Sequence, residues 1–550
     1  MRLTRIVSAS GALLLLFAAA SIGIRFRAMP PPTDLRAMTW DAASHALIGL
    51  DVFDHVRRLE PLLLLLRLQA EHWWPPLFGI LSLPAWAIGG RELTSPSLVS
   101  LASYCLIPLF AWLAVRRIAT AIPLVPLGLV AIFLLRSPQL IEMSTWSMLE
   151  LAAALFAGAA LYCFLAGPES RARNWAYGLA GASTLLKYHY GFFLLVTFGV
   201  ATLAELDPAQ RRAFALQLKI WLRRRAVWIP GAVLIAAVTV RLIEERIDPD
   251  PSMPGVPTLV WIAYILTLIT LLVKRALARS VWAVIPSLLQ RYIRYGLIWP
   301  MVWLVDLANA QAWYRELRVR SDPPALWIDQ LRELRRYLTD DYFLSPIVMT
   351  VAAIGLALCI IEGVRRRSIP LLAVALHGVW PVALMTLSKF RIESRFLSTF
   401  MVALVISAAL GWTLTLARRA TFLRIALGVI LLAVIAGDVS SRQDEWEAHL
   451  ARRRVYGYLS SDPPDRFVRA TIEQFKAGLP VLILLPDDID VVSPTIRLGL
   501  RLALPNVRPD RIEVRGGSIR RFEQRLRKFR GGLVGVETDP ATLHRIAEAN

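Results

Sequence analysis

Long apolar runs recur along this chain, at 8–24, 97–115, 121–135, 148–166, 190–204, 227–243, 345–362, 370–386, 396–416 and 421–437. Most approach the ~20 residues a helix needs to cross ~30 Å of hydrocarbon. A shorter run, 175–186, precedes 190–204. The stretch 258–304 is ambiguous. Its two halves either cross, or lie along the interface where Trp, Tyr and Arg are comfortable. The pattern predicts an α-helical polytopic membrane protein with about 11–13 transmembrane helices.

Arginines sit at the ends of these runs, as in "AVRRIA", "ESRARN", "WLRRR" and "GVRRRS". Cytoplasmic loops collect Lys and Arg, so Arg2 and Arg5 put the N-terminus in the cytoplasm. The first loop, 25–96, then lies outside, and so does the C-terminus. The basic, apolar N-terminal segment also fits a signal peptide. The many spans that follow favour an uncleaved first span.

From 439 onward the pattern changes. Strand-like "LPVLILLP", "RIEVRG" and "GGLVGVET" alternate with helix-like "PTIRLGLRLAL" and "SIRRFEQRLRKF". This alternation predicts a small soluble α/β domain with a parallel sheet over 439–550. The membrane domain occupies 1–438.

Composition agrees, with 56% hydrophobic and 19% charged residues. The net charge of +21 would suggest nucleic acid in a soluble protein. Here it marks topology, and no nucleic-acid partner is expected. Cys105, Cys163 and Cys359 are dispersed within apolar runs, which argues against disulfides and thiolate metal sites.

Within the first loop, "TWDAASHALIGLDVFDHV" carries Asp41, His45, Asp51 and His55. At about 100° per residue these four fall within a helical sector of roughly 120°. The loop continues through "EHWWPPLFGILSLPAW", whose prolines break any helix. Two helices along the membrane surface, joined at "HWWPP", are predicted. Asp41 is either a first-turn acid favoured by the helix dipole or a general base that takes the proton of an attacking hydroxyl. Phosphate chemistry would need cations, and Lys187, Lys389, Arg391 and Arg395 lie in outer connections. Glu142 and Glu150 are acids at membrane depth, where a carboxylate is costly without a polar cavity. His45, His55 and His72 with nearby carboxylates could bind Zn or Mn. No HExxH-like motif fixes such a site, so a divalent metal stays an open possibility and wet surface histidines the simpler reading. No nucleotide-binding or nucleophile-elbow motif is present.

The order of these features resembles the GT-C glycosyltransferases. The nearest branch is the one holding protein O-mannosyltransferases, aminoarabinose transferases and rhizobial lipopolysaccharide glycosyltransferases. The resemblance spans about residues 5–437 and rests on Asp41, "HWWPPL" (72–77), Glu150 in "MLELAAALF", Lys187 in "LLKYHYG" and "SRFLSTF" (394–400). It implies a polyprenyl-phosphate-linked sugar donor and a glycan, lipid or protein acceptor, in the bacterial inner (plasma) membrane. It further implies Asp41 as base of an inverting transfer, Lys187 and Arg395 as phosphate contacts, and Glu71 or His72 as positioning groups. Where many members carry a second acid after the catalytic Asp, this chain has Ala42, and Trp74 stands directly before Pro-Pro. The rival readings are a transporter or flippase of lipid-linked sugars and a catalytically silent assembly subunit. "PDDID" at 486–490 follows an apolar strand, where open α/β sheets often bind ligands; scaffolding is the simpler role for that domain.

Overall fold

The computed structural model describes residues 19–20, 22–23, 40–70, 75–118, 137–222, 285–304, 327–339, 344–387, 394–419, 421–441, 481–485, 493–503, 512–516 and 532–535. The first loop forms α1 (Trp40–Arg57), a helix over Pro61–Ala70, α2 (Leu77–Leu81) and α3 (Leu83–Gly89). The apolar runs that follow form α4 (Ser97–Ile118), α5 (Pro138–Thr145), α6 (Leu149–Phe164), α7 (Tyr188–Glu205), α8 (Pro346–Arg365) and α9 (Ser398–Leu416). Near the C-terminus lies α10 (Ser493–Ala503).

Among the described residues, Ser97–Ile118, Pro346–Arg365, Ile369–Thr386 and Arg395–Leu416 are long and apolar enough to cross a membrane. The number rises to six if two bent pairs each count as one span. The pair α5–α6 bends by 118°, and α7 meets the following helix at 112°. The expected runs 121–135, 227–243 and 258–284, and most of 8–24, lie outside the described residues. The short run near 175 forms a helix over Ala172–Ser183, 12 residues long. At 1.5 Å per residue that reaches only about 18 Å, too short for a full crossing.

The core is built around α9, which is apolar on every side and buried along nearly its whole length. A helix with no polar face has to be enclosed by others. It packs against α4, α6 and α8. Gly411 makes the α8–α9 contact possible: a methyl there would run into the Gly355 carbonyl and the Cys359 amide. Close approach through small residues is how membrane helices gain packing when lipid is as apolar as they are.

α1 is covered by the rest of the protein: Ala42, Ala43, Ala46 and Leu50 are all 0% exposed. Its small residues let neighbouring helices approach, and at Gly49 the side chains of Ser82 and Trp86 occupy the space a Cβ would need. The two-helix picture of the loop is corrected, because its described residues form four helical segments. α1 ends ahead of Pro61 with Leu59 in the left-handed region at φ 57°. The Glu60 N–H closes the turn on the His55 carbonyl at 3.0 Å.

Three strands are described in the C-terminal segment: β1 (Val481–Leu485), β2 (Ile512–Gly516) and β3 (Gly532–Gly535). They form one parallel sheet in the order β2-β1-β3. Val481 pairs with Ile512 on one side and Gly532 on the other. The helix-like "SIRRFEQRLRKF" lies outside the described residues. α10 packs directly on α1, with Leu498 and Leu500 buried.

Candidate functional site

Three local breaks in helix bring polar groups together inside an apolar fold. The first is the sharp turn between α5 and α6. Ser100 of α4 fastens it, donating from Oγ to the Met148 carbonyl (3.0 Å) and accepting from the Met148 amide (2.9 Å). Glu150 sits in the first turn of α6 just beyond, 0% exposed. The second break precedes α7, where Lys187 adopts an extended conformation at φ −155° and ψ 127°. The Leu77 amide of the first loop donates to the Leu185 carbonyl at 3.0 Å, tying the two connections together. The third is the 3-10 turn Ser394–Leu397, which carries Arg395 into the top of α9.

Asp41 in the first turn of α1 pairs with the guanidinium of Arg395 through Oδ2. The carboxylate is 5% exposed and the arginine 20%. The other oxygen, Oδ1, is buried and accepts no hydrogen bond among the described residues. Beside them Lys187 donates from Nζ to Glu150 Oε1 at 3.3 Å, both side chains almost wholly buried. Phe396 joins the pairs: the Lys187 ammonium lies 4.4 Å and the Arg395 guanidinium 5.1 Å from its ring centroid. His189 packs on the same ring, 5.4 Å centroid to centroid. A cation within about 6 Å of an aromatic centroid is attracted by the ring's quadrupole.

His45, one turn beyond Asp41, is 2% exposed and bonds through Nδ1 to the Ser147 carbonyl at 2.9 Å. A carbonyl only accepts, so Nδ1 carries the hydrogen and Nε2 keeps its lone pair. Burial, helped by the Lys187 charge and opposed by Glu150 and the Ser147 bond, lowers the imidazole pKa to about 4. His45 is therefore neutral at physiological pH.

The four-residue repeats of Asp and His in α1 do not form one site. Asp41 and His45 face the buried charge cluster. Asp51 and Asp54, ~15–20 Å further along the helix, bind arginines at its other end. His55 bonds to Glu60 Oε2 at 2.9 Å. Glu142 is buried on α5. Glu71, His72, Lys389 and Arg391 lie outside the described residues. Phe396 lies within the SRFLSTF stretch, whereas Ser147 belongs to no motif. Phe396 had a signal, an aromatic adjacent to an arginine at a helix start; Ser147 contributes only its carbonyl and had none. Among the described residues no group of three or more His, Cys, Asp or Glu is placed to hold a metal ion.

The sequence matches no family model and no curated protein. Solved structures give the fold. ArnT from Cupriavidus metallidurans bound to undecaprenyl phosphate is similar at 12% identity and TM-score 0.51, over 98% of this chain and 95% of that one. The apo form of ArnT gives TM-score 0.47 at the same identity and coverage. The archaeal oligosaccharyltransferase AglB from Archaeoglobus fulgidus, in complex with an inhibitory peptide and a dolichol-phosphate, gives 13% identity and TM-score 0.48 over 89% of this chain and 63% of that one. At 12% identity the likeness to ArnT is one of fold. The chain is an integral membrane protein with a GT-C-type fold.

Proposed function

We propose that this protein is a membrane glycosyltransferase, moving a sugar from a polyprenyl-phosphate donor to a hydroxyl of a glycan, lipid or protein acceptor. The reaction takes place at the outer side of the bacterial inner membrane, in a membrane domain over residues 1–438. Residues 439–550 form an extracytoplasmic domain beside it. The observation that carries this reading is the state of Asp41, buried, with one oxygen on Arg395 and the other accepting no hydrogen bond among the described residues. The likeness in fold to ArnT, whose structure holds undecaprenyl phosphate, supports the same donor class.

In this mechanism Asp41 takes the proton of the acceptor hydroxyl as its oxygen attacks the anomeric carbon. The anomeric C–O bond to phosphate breaks on the opposite face. Its electron pair leaves on the phosphate oxygen, and the configuration inverts. A phosphate leaving group needs cations rather than an acid. Arg395 is the more exposed of the two site cations and meets the phosphate first. Lys187 stands behind it, held by Glu150.

Charge counting makes the donor a trigger. Asp41 and Glu150 are balanced by Arg395 and Lys187, so an arriving phosphate adds negative charge that the cluster does not neutralise. It draws Arg395 away from Asp41 and frees the base, while Lys389 and Arg391, just before Arg395 in sequence, supply further positive charge. His45, held neutral, can only accept a substrate hydroxyl through Nε2. Glu71 or His72 completes the positioning of sugar and acceptor.

Purified protein in nanodiscs, offered a panel of polyprenyl-phosphate sugars with and without EDTA, tests this through release of free polyprenyl phosphate. Release abolished by Asp41→Asn, in a variant that still folds and binds donor, is expected. Unchanged release would remove Asp41 from the mechanism. Donor movement across a bilayer without release would turn the reading to transport.

A further inference from the structure

The second charged cluster on α1 joins the loop helix to the far end of the chain. Arg501 of α10 donates from one NH2 group to Asp51 Oδ1 and to Asp54 Oδ2, each at 2.9 Å. Arg91, just past α3, pairs with the other oxygen of Asp54 and donates to the Arg501 carbonyl at 3.1 Å. Asp54 is 3% exposed, and Asp51, Arg91 and Arg501 are 17%, 19% and 16% exposed. Two carboxylates one turn apart on a helix repel each other, and with little water around them they need cations. A buried carboxylate that loses its only partners is a severe penalty, so this network strongly prefers one arrangement of α1 against α10.

Around the charges the contact is apolar. Leu498 and Leu500 of α10 are buried, Leu498 within the same core as Ala42, Ala46 and Leu50 of α1. α10 rests in turn on β2 of the C-terminal sheet. A continuous path therefore runs from the sheet through α10 and Arg501 to α1, the helix whose first turn holds Asp41.

We infer that Arg501 is a positioning residue for Asp41, and that the C-terminal segment is a working part of the site rather than an appended module. Through Asp51 and Asp54 it sets the angle and depth at which α1 presents Asp41 to Arg395. This rests on the proposed role of Asp41. Exposed arginines on α10 would serve solubility; Arg501 instead has its charge turned inward onto two acids of one helix.

The test uses the full chain in nanodiscs, comparing wild type with Arg501→Gln and Arg501→Lys. A positioning role predicts that Arg501→Gln lowers kcat at least tenfold while the donor KM changes less than about twofold. The lysine variant, which keeps the charge, recovers part of the loss. Thermal unfolding of the variants identifies any loss that is only misfolding. Asp54→Asn, which weakens the same bridge from the α1 side, should give the same kcat-selective loss. A folded Arg501→Gln protein with wild-type kcat would overturn the inference, as would a loss that falls on KM alone.

Hydrogen exchange of peptides from residues 40–50 keeps the inference separate from the activity itself. Faster exchange there in Arg501→Gln is expected whether or not any donor is turned over. If wild type releases no polyprenyl phosphate yet exchange changes, the proposed function fails and the linkage stands. Unchanged exchange sinks the linkage.

Discussion

Asp41 on the first-loop helix and Arg395 at the head of the central helix form an ion pair inside the protein, and only one of the two carboxylate oxygens takes part. A guanidinium that was purely structural would be expected to satisfy both oxygens in the bidentate fork that arginine favours. One oxygen on Arg395 and the other buried without a hydrogen bond among the described residues is the arrangement on which the proposed base role rests.

Arg395→Lys should therefore lower turnover less than Arg395→Gln, because a point charge still steadies phosphate but loses the planar fork. We expect Arg395→Gln to raise the donor KM and lower kcat by ~100–1,000-fold, in the range of removing one charge-stabilising donor. Steady-state kinetics with varied donor check this. Equal behaviour of the two variants would remove the charge from the argument.

Lys187 and Glu150 should behave as a coupled pair. Removing either partner leaves a buried charge without its counter-ion, at a cost of ~3–5 kcal/mol. Lys187→Met alone should lower the unfolding temperature more than the double change Lys187→Met with Glu150→Leu, since replacing both partners removes both desolvation penalties. Thermal scans of Lys187→Met, Glu150→Leu and the double variant, together with wild type, measure the coupling. All three variants should be inactive.

The low pKa of His45 has a sign that can be measured. In the unfolded chain the ring protonates near 6.5, whereas in the fold it does so at about 4. Between these values the unfolded state binds more protons, so stability falls as pH drops through that window. The full effect is of order 3 kcal/mol by linkage. His45→Gln should be less stable at pH 7, through loss of the Ser147 bond, but should show a shallower decline from pH 6.5 to 4.5. Parallel declines in unfolding temperature would contradict a buried neutral His45.

Two glycines should respond oppositely to alanine. At Gly411 the added methyl meets backbone of the neighbouring helix, which cannot rotate aside. Gly411→Ala should cost ~1–3 kcal/mol by overpacking. At Gly437, on the helix Thr421–Ser441, nothing lies within 4 Å of the new methyl. Gly437→Ala should be neutral or stabilising by up to ~1 kcal/mol, through helix propensity. Unfolding temperatures of the two variants decide it.

Much of the architecture follows from local pattern. The span starting at Ser97 ends at Arg116–Arg117 and that starting at Pro346 ends at Arg365, as their apolar lengths and terminal arginines require. Such signals are legible because crossing hydrocarbon demands an unbroken apolar segment of fixed length. The four members of the buried charge cluster stand out in the sequence for a related reason. Asp41, Glu150, Lys187 and Arg395 are ionisable groups near apolar runs, where an unpartnered charge is costly.

What the sequence could not settle was who meets whom. Asp41 might have served any of the cations ahead of it; only the packing of the 3-10 turn against α1 gives it Arg395, and only the break before α7 gives Lys187 to Glu150. The burial of α1 and the lock by Arg501 were equally invisible. The sequence by itself determined which segments are apolar and where charge interrupts them, because hydrophobic length and charge placement act within a few turns of chain. The tertiary structure alone decided how those charges pair, because pairing depends on the depth and angle at which distant helices pack. Those are set by small residues such as Gly49 and Gly411, whose meaning appears only when the opposing surface is in place.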